Sequence, residues 1–253
     1  MAAHPFQYWS LTMFSKFALT LALLVGSTLF VNGPMAAEPD AEGFVELFPE
    51  DGPPQGWVVR RWDDVSQPPA EGGVAWQVRD GVLIGSQSRG TWLMSEKEYG
   101  DFILEYEFKL GPRGNSGLAL RAPMKGDPAF DGMELQMADY RYNTEAKDSE
   151  LTGGIYRAIA PQKQLYKPTE WNKYRVELRG SRLRATLNGE LIHDLDLAEQ
   201  SQEVRRHDGT LAPPVKDRPR RGHIGFQELS RDGDQVQIRG ARIRELLPSD
   251  DSR

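Results

Sequence analysis

The run Asp101-Phe102-Ile103-Leu104-Glu105-Tyr106-Glu107-Phe108-Lys109-Leu110 carries the reading of the fold. Phe102, Leu104, Tyr106, Phe108 and Leu110 alternate with Asp101, Glu105, Glu107 and Lys109. That is the period-two pattern of a strand with one buried and one wet face. Working outward, Val176 and Leu178 alternate with Arg175, Glu177 and Arg179, and Leu183, Ala185 and Leu187 lead into Asn188-Gly189 before Leu191 begins a return strand. Asn-Gly is the strongest short hairpin signal, and Asp80-Gly81 between 75–79 and 82–85 is a second. Residues 222–227 and 236–244 read as a closing pair, and no long stretch keeps a helical period. Alternating strands without intervening helices imply an all-β chain of antiparallel sheets, a sandwich or jelly roll.

Composition narrows the function classes. With 253 residues, 39% hydrophobic and 27% charged, the chain is neither disordered nor a polytopic membrane protein. It has no cysteine, which removes disulfide scaffolds, Cys-ligated zinc, thiol nucleophiles and lipoprotein anchoring. A net charge of -6 speaks against nucleic acid as a partner. Residues 17–31 are almost wholly apolar, with Lys16 before them and Met35-Ala36-Ala37 after. That is the layout of a secretory signal over residues 1–37, with a start at Met13 giving the more ordinary form. The expectation is an exported protein, periplasmic or extracellular, with no stable membrane span after signal cleavage; the alternative is a retained N-terminal anchor. Residues 38–253 then form one domain with three long loops, 122–132, 140–152 and 199–221. Loops of that length in a compact domain usually serve function.

Alternation also sorts polar residues by face. Met133, Leu135 and Met137 point inward, so Glu134 and Gln136 share the opposite face. Leu118 and Leu120 point inward, leaving Asn115 and Arg121 on the other side; Ile224 and Phe226 do the same for His223 and Gln227. If those strands share a sheet, its outer face gathers acidic, amide and guanidinium groups.

The chain resembles the 3-keto-disaccharide hydrolase family through an ordered set of short motifs. They include Gly43-Phe44-Val45-Glu46-Leu47-Phe48, Gly56-Trp57, Trp76-Gln77-Val78-Arg79-Asp80-Gly81-Val82-Leu83, Tyr99-Gly100-Asp101-Phe102-Ile103-Leu104 and Asn115-Ser116-Gly117. Glu134-Leu135-Gln136, Gly154-Ile155-Tyr156, Trp171-Asn172-Lys173-Tyr174-Arg175, Leu187-Asn188-Gly189 and Gly222-His223-Ile224-Gly225-Phe226-Gln227 complete it, so the resemblance runs from about Gly43 to Leu246. It implies a concanavalin A-like jelly roll acting on glycosides already oxidised to a ketone at sugar carbon 3, by hydrolysis or by elimination followed by hydration. The ketone acidifies the hydrogen on carbon 2, so a base can remove it and the carbon 1 substituent can leave. The sequence departs from the family pattern at Leu229, where many relatives carry His, and at Arg239-Gly240-Ala241.

Chemistry and face then assign expected roles. Glu134 is the base or a metal ligand, and Asp139 is a second candidate for either role. Arg121 stabilises developing negative charge, a task a divalent metal can share as a Lewis acid. His223 is the proton donor. Asn115, Gln136, Tyr156 and Gln227 hold sugar hydroxyls or water. No organic cofactor is expected, and the partner is an oxidised sugar or glycoside held in a cavity between Glu134 and Arg121. One of Trp57, Trp62 and Trp92 stacks on the sugar ring, while His193 and His207 receive no role. Two alternatives stand beside this reading. One is a carbohydrate-binding module without catalysis. The other is an ordinary double-carboxylate glycosidase, for which Glu105 and Glu107 form a same-face pair but Asp139 has the wrong parity.

Overall fold

The computed structural model describes residues 39–72 and 75–247. The expected leader over residues 1–37, with the start at Met13 and the anchor alternative, lies outside the described residues. Among these no helix is long and apolar enough to cross a membrane. The strands are β1 (Val45–Glu46), β2 (Trp57–Arg61), β3 (Gln77–Arg79), β4 (Val82–Ile84), β5 (Thr91–Tyr99), β6 (Phe102–Lys109), β7 (Asn115–Ala122) and β8 (Met133–Ala138). After them come β9 (Asn172–Arg179), β10 (Arg182–Leu187), β11 (Glu190–Asp196), β12 (Val204–Arg205), β13 (Leu211–Ala212), β14 (Gly222–Glu228) and β15 (Gln237–Glu245). A single short α-helix, α1 (Pro128–Asp131), and three 3-10 turns interrupt the series among the described residues.

Two antiparallel sheets face each other as a jelly-roll sandwich. One runs β11-β10-β9-β6-β15-β4-β3, with β1 also paired to β15; the other runs β2-β5-β14-β7-β8. The inward residues of β6 meet Leu118, Leu120, Leu135, Met137, Ile224 and Phe226 of the five-stranded sheet in one core. Tyr106 packs edge-on against Phe226 with ring centroids 5.3 Å apart, and the Tyr174 hydroxyl donates to the Gln136 carbonyl at 3.0 Å, so the layers are tied by packing and by hydrogen bonding. Both predicted hairpin turns form. Asp80 and Gly81 have φ of 51° and 71°, Asn188 and Gly189 have 53° and 87°, the positive pair that a two-residue turn needs.

The alternation on β7 does not survive to its end. Ala119 lies opposite Gly225 and Ala122 opposite His223, so β7 carries one residue more than β14 across that interval. Arg121 sits in this bulge at φ 50°. A bulge breaks the period of two and re-aims its side chain. Arg121 therefore leaves the outer face and closes the edge between the sheets, where it is fully buried. It donates to the carbonyls of Gly100 and Gly180, each at 2.7 Å, and to the Asp101 carboxylate at 2.8 Å.

Glu105 and Glu107 lie on the outer face of the larger sheet. There Glu105 pairs with Arg175 and Arg242, and Glu107 with Arg239. They are structural ion pairs remote from the five-stranded sheet's outer face.

Candidate functional site

A cavity of about 640 Å³ opens on the outer face of the five-stranded sheet. Its floor is built by strand register. Gly117 pairs with Gln136 and Ala119 with Glu134, and Phe226 pairs with Leu118, which sets Gln227 beside Gly117. Asn115, Glu134, Gln136 and Gln227 thus converge on one face, and all four are buried and line the cavity. Next to them on the same face lies an apolar patch of Val65, Trp92, Met94, Ala119 and Ala122.

The Glu134 carboxyl lies over the backbone of Gly117. A Cβ at position 117 would come within 1.8 Å of its Oε1, so only glycine leaves room for it. Oε1 is buried without a hydrogen-bond partner, as is Oδ1 of Asn115. Two unsatisfied buried acceptors among the described residues lining one cavity are costly unless something supplies donors to them. Burial, with the Asp127 carboxyl adding to it, holds the Glu134 pKa well above the ordinary carboxylate range.

Loops wall the floor, and each of the three long ones contributes. Asp127 belongs to the first, caps α1 by accepting from the Ala129 N–H at 3.0 Å, and is raised to about 7 by burial. The second brings Tyr142 and Glu150. The third carries the separate β12-β13 ribbon, whose turn places His207 in the wall. His207 packs against Trp62, Phe130 and Tyr156 with centroids 5.9, 5.4 and 5.9 Å away. Burial, then Arg157, pulls its pKa below the ordinary imidazole value, which keeps it neutral at pH 7. Tyr156 is set by its backbone N–H donating to the Glu134 carbonyl at 2.9 Å. Burial and the Glu134 carboxyl both raise its phenol pKa, so the hydroxyl stays a donor. Arg157, at φ 56°, bridges Glu150 at 2.8 Å and the ribbon carbonyls of Arg205 and Arg206.

Of the residues the sequence singles out, Asn115, Glu134, Gln136, Tyr156 and Gln227 are brought together, and three are not. Arg121 is consumed by the turn carbonyls and Asp101 and does not line the cavity that holds Glu134. Both Asp139 oxygens are taken, by Arg141 at 2.7 Å each and by Tyr166 at 3.2 Å. Burial alone would raise the Asp139 pKa, but the Arg141 hydrogen bonds outweigh it and bring the pKa below the usual value. His223 is on the right face but four residues along β14 from Gln227, roughly 13 Å at strand rise. There its Nδ1 contacts the Ser95 carbonyl at 2.8 Å. The expected metal ligands Glu134 and Asp139 thus share no site, and among the described residues no three His, Asp or Glu side chains gather as metal ligands. The donor set does not fit a metal. Of the three candidate tryptophans, Trp62 lines the cavity; Trp57 packs on Phe48 and Phe226, and Trp92 lies beneath in the apolar patch.

Asp127, His207 and Arg157 are not legible in the sequence as site residues, whereas Trp62 is one of the three tryptophans it leaves open for the sugar ring. The one signal for Asp127 and His207 is their position in two of the unusually long loops, and Arg157 lies a few residues past the remaining one, 140–152.

The profile of the 3-keto-alpha-glucoside-1,2-lyase-like domain matches residues 43–244. The chain is similar in fold to two solved structures of proposed glycosyl hydrolases from Parabacteroides distasonis. One is 24% identical over 80% of this chain and 99% of its own, with a TM-score of 0.64. The other is 26% identical over 82% of this chain and 96% of its own, again with a TM-score of 0.64. No curated protein matches significantly.

Proposed function

Because the chain belongs to the family of 3-keto-alpha-glucoside-1,2-lyase-like domains, we propose that it processes carbohydrate by cleaving 3-keto-glycosides in this cavity, with Glu134 moving a proton at the scissile bond. One observation carries the reading: a buried carboxyl with no hydrogen-bond donor among the described residues, lining a sugar-sized cavity with several amides. A carboxyl so placed is held neutral and ready to give up its proton when a substrate oxygen arrives.

The chemistry follows from the ketone. Loss of the carbon 2 proton gives an enolate, collapse of the enolate expels the carbon 1 oxygen, and that oxygen takes a proton as it leaves. The product is a 3-keto sugar unsaturated between carbons 1 and 2, to which water can add. Tyr156, whose hydroxyl stays protonated, donates to the carbon 3 oxyanion; this is the role the sequence suggested for Arg121. Asn115 Oδ1 and the Gln227 amide hold ring hydroxyls, and Trp62 offers an apolar face to the ring. Glu134 protonates the departing oxygen, a change from the base role expected of it, because burial without donors disfavours its anion.

A panel of 3-keto-glucosides, with and without chelator, tests the reading. Wild type releases the aglycone, and Glu134→Gln slows release from alkyl glycosides by about 10³-fold, as loss of a general acid does, with the melting temperature unchanged. A second reading has its own support, since Asp127 and Glu134 are two carboxyls on one cavity, the equipment of a glycosidase for unoxidised sugar. Turnover of plain glucan with none of the keto substrates would favour it. Binding without turnover of either would leave a carbohydrate-binding module.

A further inference from the structure

We propose that Asp127 is the general base that removes the carbon 2 proton, working opposite Glu134 across the same cavity. The inference rests on the 3-keto-glycoside reading and assigns its other half-reaction.

The two carboxyls line one cavity and differ in how they are held. Glu134 receives no hydrogen bond to either oxygen among the described residues, and its Oε1 is sealed from solvent. Asp127 is also buried, at 7% exposure, but its Oδ1 accepts the Ala129 N–H at 3.0 Å. Its own backbone N–H donates to the Asp131 carboxylate at 3.0 Å, and Arg206 grips that carboxylate through both terminal nitrogens. The buried Arg218 guanidinium fixes the rest of the turn by donating to the carbonyls of Ala129 and Gly132 at 3.1 and 3.0 Å. Asp127 thus sits on a clamped turn, with one oxygen hydrogen-bonded and the other carrying no hydrogen bond from the described residues. Against burial and the neighbouring Asp131 carboxylate, the Ala129 N–H and the Arg206 charge favour the anion at Asp127, while Glu134 has no such donor among the described residues. Placed in one site, two carboxyls in such unlike surroundings separate into an acid and a base. The titration directions agree: Asp127 is poised about 7, where a base at neutral pH works best, and Glu134 lies well above the ordinary range.

The step balances without a co-reactant. The carbon 2 C–H bond breaks and its proton goes to Asp127, while the electron pair moves into the carbon 3 enolate. The enolate re-forms the ketone as the carbon 1 C–O bond breaks, and the leaving oxygen takes the Glu134 proton. The site ends with Asp127 protonated and Glu134 ionised. Adding water to the double bond in the reverse sense restores both.

Proton exchange at carbon 2 separates the two roles, because it needs the base and not the acid. The probe is the alkyl 3-keto-glucoside in deuterated water, followed by NMR with full-length wild type, Asp127→Asn, Asp127→Ser and Glu134→Gln. Asn and Ser both remain competent caps for the Ala129 N–H, so the turn is preserved, and a melting temperature for each variant verifies it. The expected result is carbon 2 exchange at least 100-fold slower in both Asp127 variants, and within tenfold of wild type in Glu134→Gln. A nitrophenyl leaving group, which needs little protonation, restores cleavage in Glu134→Gln but in neither Asp127 variant. Exchange retained by the folded Asp127 variants, or lost only in Glu134→Gln, overturns the assignment. Wild type inert toward every 3-keto-glycoside would instead remove the underlying reading, an outcome distinct from failure of the Asp127 role.

Discussion

Gly117 shows how much of the site hangs on the absence of one atom. Its Cβ would sit 1.8 Å from Glu134 Oε1 and 2.6 Å from the carboxyl carbon, too close for any accommodation short of moving the Glu134 side chain. Gly117→Ala is therefore expected to displace the carboxyl and reduce turnover of 3-keto-glucosides by at least about 100-fold, the scale of losing a positioned proton donor. The strand itself should tolerate the methyl group, so the loss of melting temperature is expected to be small. Turnover and melting temperature measured on the same preparation check this, and an active Gly117→Ala would show that the carboxyl works from another position. The motif Asn115-Ser116-Gly117 and the alternation around Glu134 were readable from the chain, because period two is a local property of an extended backbone. That Gly117 accommodates Glu134 is a property of two strands in register, and it appears only when β7 and β8 pair.

The bulge in β7 is where local pattern and structure part. Counting by twos puts Arg121 with Asn115, yet one inserted residue and a φ of 50° turn it to the sandwich edge. There Arg121 links the β5-β6 turn at Gly100 and Asp101 to the β9-β10 turn at Gly180. Burial lowers its pKa to about 10, with Asp101 opposing the shift, so it is still charged at neutral pH and all its bonds are charge-assisted. Arg121→Met is expected to cost about 3 kcal/mol of stability, the scale of removing one partner from a buried charged network. Activity per folded molecule should stay within twofold of wild type. Denaturant unfolding and a turnover assay measure the two separately; a large loss of activity without loss of stability would return Arg121 to the chemistry. The β12-β13 ribbon makes the complementary point. It pairs with neither sheet, yet it delivers His207 to the wall; Asp208-Gly209 marks its turn, but strands of two residues carry no alternation that would mark it as part of a site.

Across the molecule, buried carboxyls set an unusual pH dependence. Asp127 in the cavity wall and Glu228 at the sandwich end are both raised to about 7, mainly by burial. Glu228 accepts from the backbone N–H of Ser230 and of Val236, each at 2.7 Å, and so ties β14 to the chain entering β15. A carboxyl whose pKa is raised on folding contributes stability fully below its unfolded value, near 4, and loses that contribution as pH rises through its folded value. Asp40, Asp64, Glu105, Asp139 and Glu150 have lowered pKa values and act in the opposite sense, losing their contribution as pH falls below about 4. The melting temperature is therefore expected to peak near pH 5 and to fall by several degrees by pH 8. Glu228→Gln should flatten that fall. Thermal unfolding monitored from pH 3 to pH 9 measures the profile, and a maximum at pH 8 would contradict it.

The two sheets, the hairpin turns and the inward set of core residues follow from alternation and turn chemistry, which act over a few neighbouring residues and so are written along the chain. The same locality puts Asn115, Glu134, Gln136 and Gln227 on one type of face. Their meeting on one cavity, the removal of Arg121, Asp139 and His223 from it, and the recruitment of Asp127 and His207 depend on strand register, one bulge and the path of the long loops. Those are contacts between residues tens of positions apart. Long-range packing selects them, and no local period encodes it.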